Sequence, residues 1–159
     1  MTEQPKVFLD TSVLIAAILN KQGASHFILE LAKKDLIDIV FTTKVIQEAR
    51  HNLLKKYGNH KVLDLYNTIS DLKRNIQPAP EIKSENKYIE IISDPKDCHI
   101  LAGADKYSAD YLLTFDRGHF FTTKIKNAQL PFEIMLPGDF LKIFRNIKWS
   151  TSKFLIFEI

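Results

Sequence analysis

Short β-rich runs alternate with helical stretches along almost the whole chain, and this alternation restricts the fold more than any other feature. Lys6-Val7-Phe8-Leu9 is a β-rich run that ends at Asp10. Thr11-Ser12 supplies N-cap chemistry for the apolar stretch Val13 to Leu19, and Gly23 breaks it. Phe27, Ile28, Leu31 and Ala32 then recur at helical spacing, and Ile37 to Phe41 reads as a second strand. Thr42-Thr43 caps a third helix with Val45, Ile46, Ala49, Leu53 and Leu54 on one face, ending near Gly58. Val62, Leu65, Tyr66, Ile69 and Leu72 give a fourth, which Gln77-Pro78-Ala79-Pro80 stops. Glu90 to Ser93 suits either a short strand or a helical turn. Asp94 and Pro95 fit the N-cap and first position of a helix that runs to about Tyr107. Asp110 to Phe115 is a strand ending at Asp116, Phe132 to Leu136 is a late strand, and Pro137-Gly138-Asp139 starts a last short helix. The pattern predicts an α/β fold with one open, mostly parallel sheet and helices on both faces.

The chain's 159 residues suit one domain. We expect that domain over residues 1–146. Residues 147–159 follow as a strand-like tail, in which Phe154-Leu155-Ile156-Phe157 is suited to a sheet edge or a dimer interface. The single cysteine, Cys98, excludes a disulfide framework and any zinc site with two or more thiolates, and it reads as a small apolar residue. The longest strictly apolar run, Val13 to Leu19, is far short of the roughly 18 residues of a membrane span, and Met1 to Lys6 lacks the basic start of a signal peptide. A cytoplasmic protein with no membrane association is expected. Charge is segregated. Residues 44–74 carry seven Lys/Arg against three Asp/Glu, residues 117–153 seven against two, and residues 81–116 between them eight acids against four lysines. Such a pattern suits solvated helix faces, or an acidic site flanked by basic surface that attracts a polyanion.

Sites in open α/β sheets form beyond the carboxyl ends of the strands. Asp10 and Asp116 stand at two such ends, Asp97 in the first turn of a helix, and Glu48 in the first half of the third helix. Each has a structural role open to it: Asp10 as strand terminator, Asp97 as helix cap, Asp116 as turn residue, Glu48 as a solvated helix glutamate. If the four converge without a histidine cluster, they form a hard-oxygen site suited to Mg²⁺ or Mn²⁺ and to phosphoryl chemistry. Asp94, three residues before Asp97, could replace it as the ligand; Asp97 is preferred because Asp94 is the better N-cap before Pro95. Arg50, Arg117 and His119 are candidate phosphate contacts, as is His51.

Val7-Phe8-Leu9-Asp10-Thr11-Ser12-Val13-Leu14-Ile15 resembles the opening motif of the PIN-domain family of metal-dependent nucleases. Thr42 to Glu48 is similar to its second motif, Ser93-Asp94-Pro95-Lys96-Asp97 with Ile100, Leu101, Ala102 and Ala104 to its third, and Ala109 to Asp116 to its fourth. The resemblance, over residues 5–145, is to VapC-type toxins of this size, the ribonuclease half of toxin–antitoxin pairs. It implies that Asp10, Glu48, Asp97 and Asp116 bind one or two Mg²⁺ or Mn²⁺ ions, with Thr11, Ser12 or Thr114 supporting through hydroxyl hydrogen bonds. It implies an endoribonuclease in which a water attacks the phosphodiester in line, a homodimer, and a small antitoxin partner. The chain departs from the family at Phe115, where a small residue is usual, and at Arg117-Gly118-His119, where another acid or asparagine often stands. These departures suit a second reading, an inactive PIN-like module that binds RNA or a partner protein. A phosphatase of the haloacid-dehalogenase type would need an aspartate where Ser12 stands, and a receiver domain would need an acidic pair that is not in register here.

Overall fold

The computed structural model describes residues 4–72 and 75–152. Five strands form one parallel sheet: β1 (Lys6–Leu9), β2 (Asp38–Thr42), β3 (Ile76–Gln77), β4 (Tyr111–Leu113) and β5 (Glu133–Met135), in the order β3-β2-β1-β4-β5. The chain steps outward from β1 to β2 and β3, then crosses back to β4 and steps outward again to β5. Right-handed connections therefore place the helices between β1 and β3 and those between β3 and β5 on opposite faces. The order reverses between β1 and β4, which makes the carboxyl ends of those two strands the switch point.

Between β1 and β2 run α1 (Thr11–Leu19) and α2 (Ala24–Lys33); α3 (Thr43–Tyr57) and α4 (Asn59–Ser70) lead to β3. On the way to β4 stand α5 (Ile82–Asn86), a 3-10 turn over Pro95–Asp97 and α6 (Cys98–Lys106). α7 (Arg117–Phe120) and α8 (Thr123–Asn127) precede β5, and α9 (Pro137–Ser152) closes the described chain. The parallel α/β architecture anticipated from the alternation is the one observed. β1 is buried from Val7 to Leu9, as expected of a central strand covered on both faces.

The differences in detail have local causes. Asp10, rather than Thr11-Ser12, caps α1, accepting from the Thr11 N–H. Asp94 does cap, accepting from the Lys96 N–H with Pro95 following, but the first turn is 3-10 and the α-helix begins only at Cys98. Glu90 to Ser93 is neither strand nor helix but a run of turns. β3 was not anticipated. It is two residues long, and the buried Asn75 anchors its approach by donating from Nδ2 to the Ile39 carbonyl at 2.6 Å. The last helix is not short: α9 continues to Ser152 where a strand-like tail was expected from residue 147. It packs against α2, with Phe140 and Phe144 buried. Phe154 to Phe157 lies outside the described residues.

Two glycines are required by geometry. Gly58, between α3 and α4, has φ +88°, a conformation that side chains disfavour. Gly103 lets α6 lie directly on β1, since a Cβ there would sit 2.6 Å from Phe8 Cζ. Phe8 is fully buried and has little room to give. Gly103→Ala should therefore cost about 1–3 kcal/mol by overpacking. Thermal unfolding should show a drop of several degrees; an unchanged melting temperature would mean that α6 can rise from the sheet freely.

Candidate functional site

The site is assembled at the switch point, and Asp10 is its centre. Leu9 ends β1, and the Asp10 N–H still donates to the Leu113 carbonyl on β4 at 3.1 Å, so Asp10 is held in line with the neighbouring strand. Its side chain is 6% exposed. Oδ1 accepts from the Thr11 N–H at 2.7 Å, and Oδ2 accepts from the hydroxyls of Ser12 and Thr114, each at 2.7 Å. Burial pushes this carboxyl above its ordinary pKa. The bonds from Thr114, Ser12 and Thr11 pull it back, and Glu48 adds a smaller upward push.

The hydroxyls extend the network. Thr11 Oγ1 donates to Glu48 Oε2 at 2.7 Å, joining α1 to α3. Thr114 Oγ1 accepts from the Asp116 N–H at 3.0 Å, and Ser12 Oγ from the Phe115 N–H at 3.1 Å, so the β4–α7 corner is tied to the start of α1. Phe115 is thereby held by its backbone while its ring is nearly half exposed. Thr11, Ser12 and Thr114 thus each touch one of the predicted acids.

Asp116 caps α7 through the His119 N–H. The His119 ring also joins two acids: Nδ1 lies 2.7 Å from Asp116 Oδ2 and 3.0 Å from Asp97 Oδ2. Ligand atoms of Asp94, Asp97 and His119 all lie within 4.8 Å of one another. Asp97 is only a quarter exposed, and its carboxyl is pushed up to about 6 by burial first and then by the charge of Asp10, which His119 partly offsets. His119 is raised in turn, chiefly by its hydrogen bond to Asp116. The structure thus gathers Asp10, Glu48, Asp97 and Asp116, with Asp94 at the edge, into one connected cluster.

The expectation of an oxygen site without histidine needs correction, because two histidines stand inside it. His119 entered the sequence reading only as a phosphate contact. His99, unremarked there, is 1% exposed and places Nε2 2.8 Å from Glu48 Oε1. Burial pushes Glu48 up, but the bonds from His99 and Thr11 outweigh it and leave its carboxyl below the ordinary value. The available signal was a lone polar residue in the apolar stretch Cys98 to Ala104, which must find a partner if it is buried. Arg117 is exposed at the start of α7, beside Asp116. Arg50 is exposed on α3, and two helical positions on from Glu48 turn it about 200° away, so it is not brought to the cluster.

The PIN-domain profile matches residues 6–118. The chain belongs to the PIN-domain family. No curated protein matches it in sequence. Among solved structures it is similar to a chain of VapBC2 from Rickettsia felis, bound to a DNA fragment from their promoter, with 18% identity and a TM-score of 0.59 over 82% of this chain and 98% of that one. It is also similar to a chain of FitAcB from Neisseria gonorrhoeae, at 21% identity and a TM-score of 0.54 over 82% and 97%. A third likeness is to VapC20 from Mycobacterium tuberculosis, a sarcin-ricin loop cleaving toxin, at 16% identity and a TM-score of 0.53 over 78% and 95%. All three share this PIN fold. No helix among the described residues is long and apolar enough to cross a membrane.

PIN nucleases use divalent metal, and the donor set fits one. A cation would relieve the charge that Asp10, Asp94 and Asp116 press on the half-buried Asp97, and His119 adds an imidazole to the carboxylate donors. Metal-free, the cluster has a defined pH signature. Asp97, Asp10 and His119 all have raised values in the fold, so the native state holds more protons than the unfolded chain. Their favourable contribution is present at low pH and is lost as pH rises through the folded values. The melting temperature in chelator should therefore fall between pH 5 and 7, Asp97→Asn should flatten that slope, and millimolar Mn²⁺ should raise the melting temperature at pH 7. A melting curve indifferent to pH, to Mn²⁺ and to Asp97→Asn would show that the acids do not interact.

Proposed function

We propose that this chain is a divalent-metal-dependent endoribonuclease, the toxin of a toxin–antitoxin pair. The observation that carries the proposal is Asp10, a nearly buried carboxylate at the switch point whose oxygens are held by Thr11, Ser12 and Thr114 and around which Glu48, Asp97 and Asp116 gather. A folded core has little reason to bury one acid beside three others unless a cation joins them. Asp10, Glu48, Asp97 and Asp116 would hold Mg²⁺ or Mn²⁺, with His119 and Asp94 adjoining. The metal, when bound, supplies activation of water and offsets charge on the departing oxygen.

The chain's own residues do the rest. Ser12 and Thr114 donate to one Asp10 oxygen and fix its orientation, while Thr11 links Asp10 to Glu48, so both acids are set before substrate arrives. Asp94 shapes the first turn that carries Asp97. Arg117, exposed beside Asp116, would meet a phosphate, with the half-exposed Phe115 two residues before it. The VapC20, VapBC2 and FitAcB likenesses support an RNA substrate and a small antitoxin partner. A homodimer belongs to the same proposal.

Asp10→Asn and Asp116→Asn should each abolish cleavage of a mixed RNA pool with the fold intact. The loss should exceed the 10–100-fold typical of changing an outer partner of a metal site. Asp94→Asn should be milder, because asparagine also caps. Active Asp10→Asn protein would sink the nuclease reading, and an active Asp97→Asn with an inactive Asp94→Asn would reassign the third ligand. For assembly, light scattering of the full chain should find a dimer; a monomer would remove the homodimer from the proposal.

A further inference from the structure

We propose that His99 is a positioning residue for Glu48: its buried imidazole holds one carboxylate oxygen and aims the other acid contacts of Glu48 at the cluster around Asp10. The inference rests on the metal-nuclease reading and deepens it. Glu48 lies on α3, and its side chain is 38% exposed. A glutamate with that much freedom would populate several rotamers. Here each oxygen meets a donor from a different element. His99 on α6 reaches Oε1 at 2.8 Å, and Thr11 on α1 reaches Oε2 at 2.7 Å. Two bonds from opposite sides fix both the position and the plane of the carboxylate. Each oxygen keeps a lone pair for a further partner.

The ring nitrogens settle which way the bond runs. His99 Nδ1 is buried with no hydrogen-bond partner among the described residues. A proton on Nδ1 would leave a buried N–H unpaired and would set the Nε2 lone pair against a carboxylate oxygen at 2.8 Å. A proton on Nε2 avoids both, so the ring donates to Glu48. A purely space-filling residue at a position 1% exposed, among Cys98, Ile100, Leu101 and Ala102, would be aliphatic. The desolvation of an imidazole there is offset through Glu48 alone. The same bond, with that from Thr11, favours the ionised form of Glu48.

The test uses the full chain, Mn²⁺ calorimetry and RNA cleavage. His99→Leu keeps apolar volume and removes the donor. It should weaken Mn²⁺ binding about 10–100-fold and lower kcat with little change in KM. His99→Gln places an amide Nε2 near the same point and should recover most of the loss, which a packing role would not allow. If Asp10→Asn loses Mn²⁺ while His99→Leu binds it like the wild type, the inference about His99 falls and the metal reading stands. If the wild type binds no Mn²⁺, both fall. Should His99→Leu fail to fold, ¹⁵N NMR of the wild-type ring decides: the proton on Nε2 with Nδ1 bare supports the inference, and a proton on Nδ1 alone overturns it.

Discussion

The buried carboxylate of Asp10 is the constraint on which the site depends. Removing a charge from water is costly, and the fold offsets that cost with one backbone N–H and two hydroxyls. Those donors come from both sides of the switch point, so holding Asp10 also fixes how β1, α1 and β4 meet. Thr11 carries the same constraint across to α3 through Glu48, and Thr114 carries it to the backbone of Asp116. The network does not fully compensate the burial, since Asp10 remains raised. What is left over is a standing preference for positive charge at this point of the molecule.

The surrounding acids show how that preference is managed. Asp97 shares the His119 ring with Asp116, and Glu48 is bonded by His99. An all-oxygen cluster is therefore an incomplete description, because two imidazoles bond the acids within the fold itself. Both also come from helices whose first turns the acids shape, Asp94 and Asp97 before α6 and Asp116 before α7.

The parallel α/β architecture and the strand-end acids were legible in the chain because period and position carry them. β-rich runs that stop at aspartate announce themselves, and so does Asp94 before Pro95. Capping and membership of the cluster do not exclude one another: Asp10, Asp94 and Asp116 all cap helices and all stand in or beside it. What stayed hidden depends on pairing at a distance. β3 has two residues and no periodicity to betray it, and its anchor is a bond from Asn75 to the carbonyl of Ile39. His99 meets Glu48 only after α6 has packed beneath β1, an approach that needs Gly103. α9 outran its expected end because its early apolar positions, Phe140 and Phe144, already match a helical face on α2, and no breaker follows them.

The pairing of β1 with β4 has a consequence in time. Asp10 receives its bond from Thr114, 104 residues later, and the two strands are adjacent in space though distant in sequence. A chain emerging from the ribosome exposes Asp10 well before β4, so the bond from Thr114 cannot form until β4 has also emerged. Until then the aspartate lacks the Thr114 hydroxyl and the companion acid Asp116. A chain cut short before residue 114 therefore cannot build the cluster. The order of strands in the sheet thus delays the enclosure of Asp10 until β4 has been made.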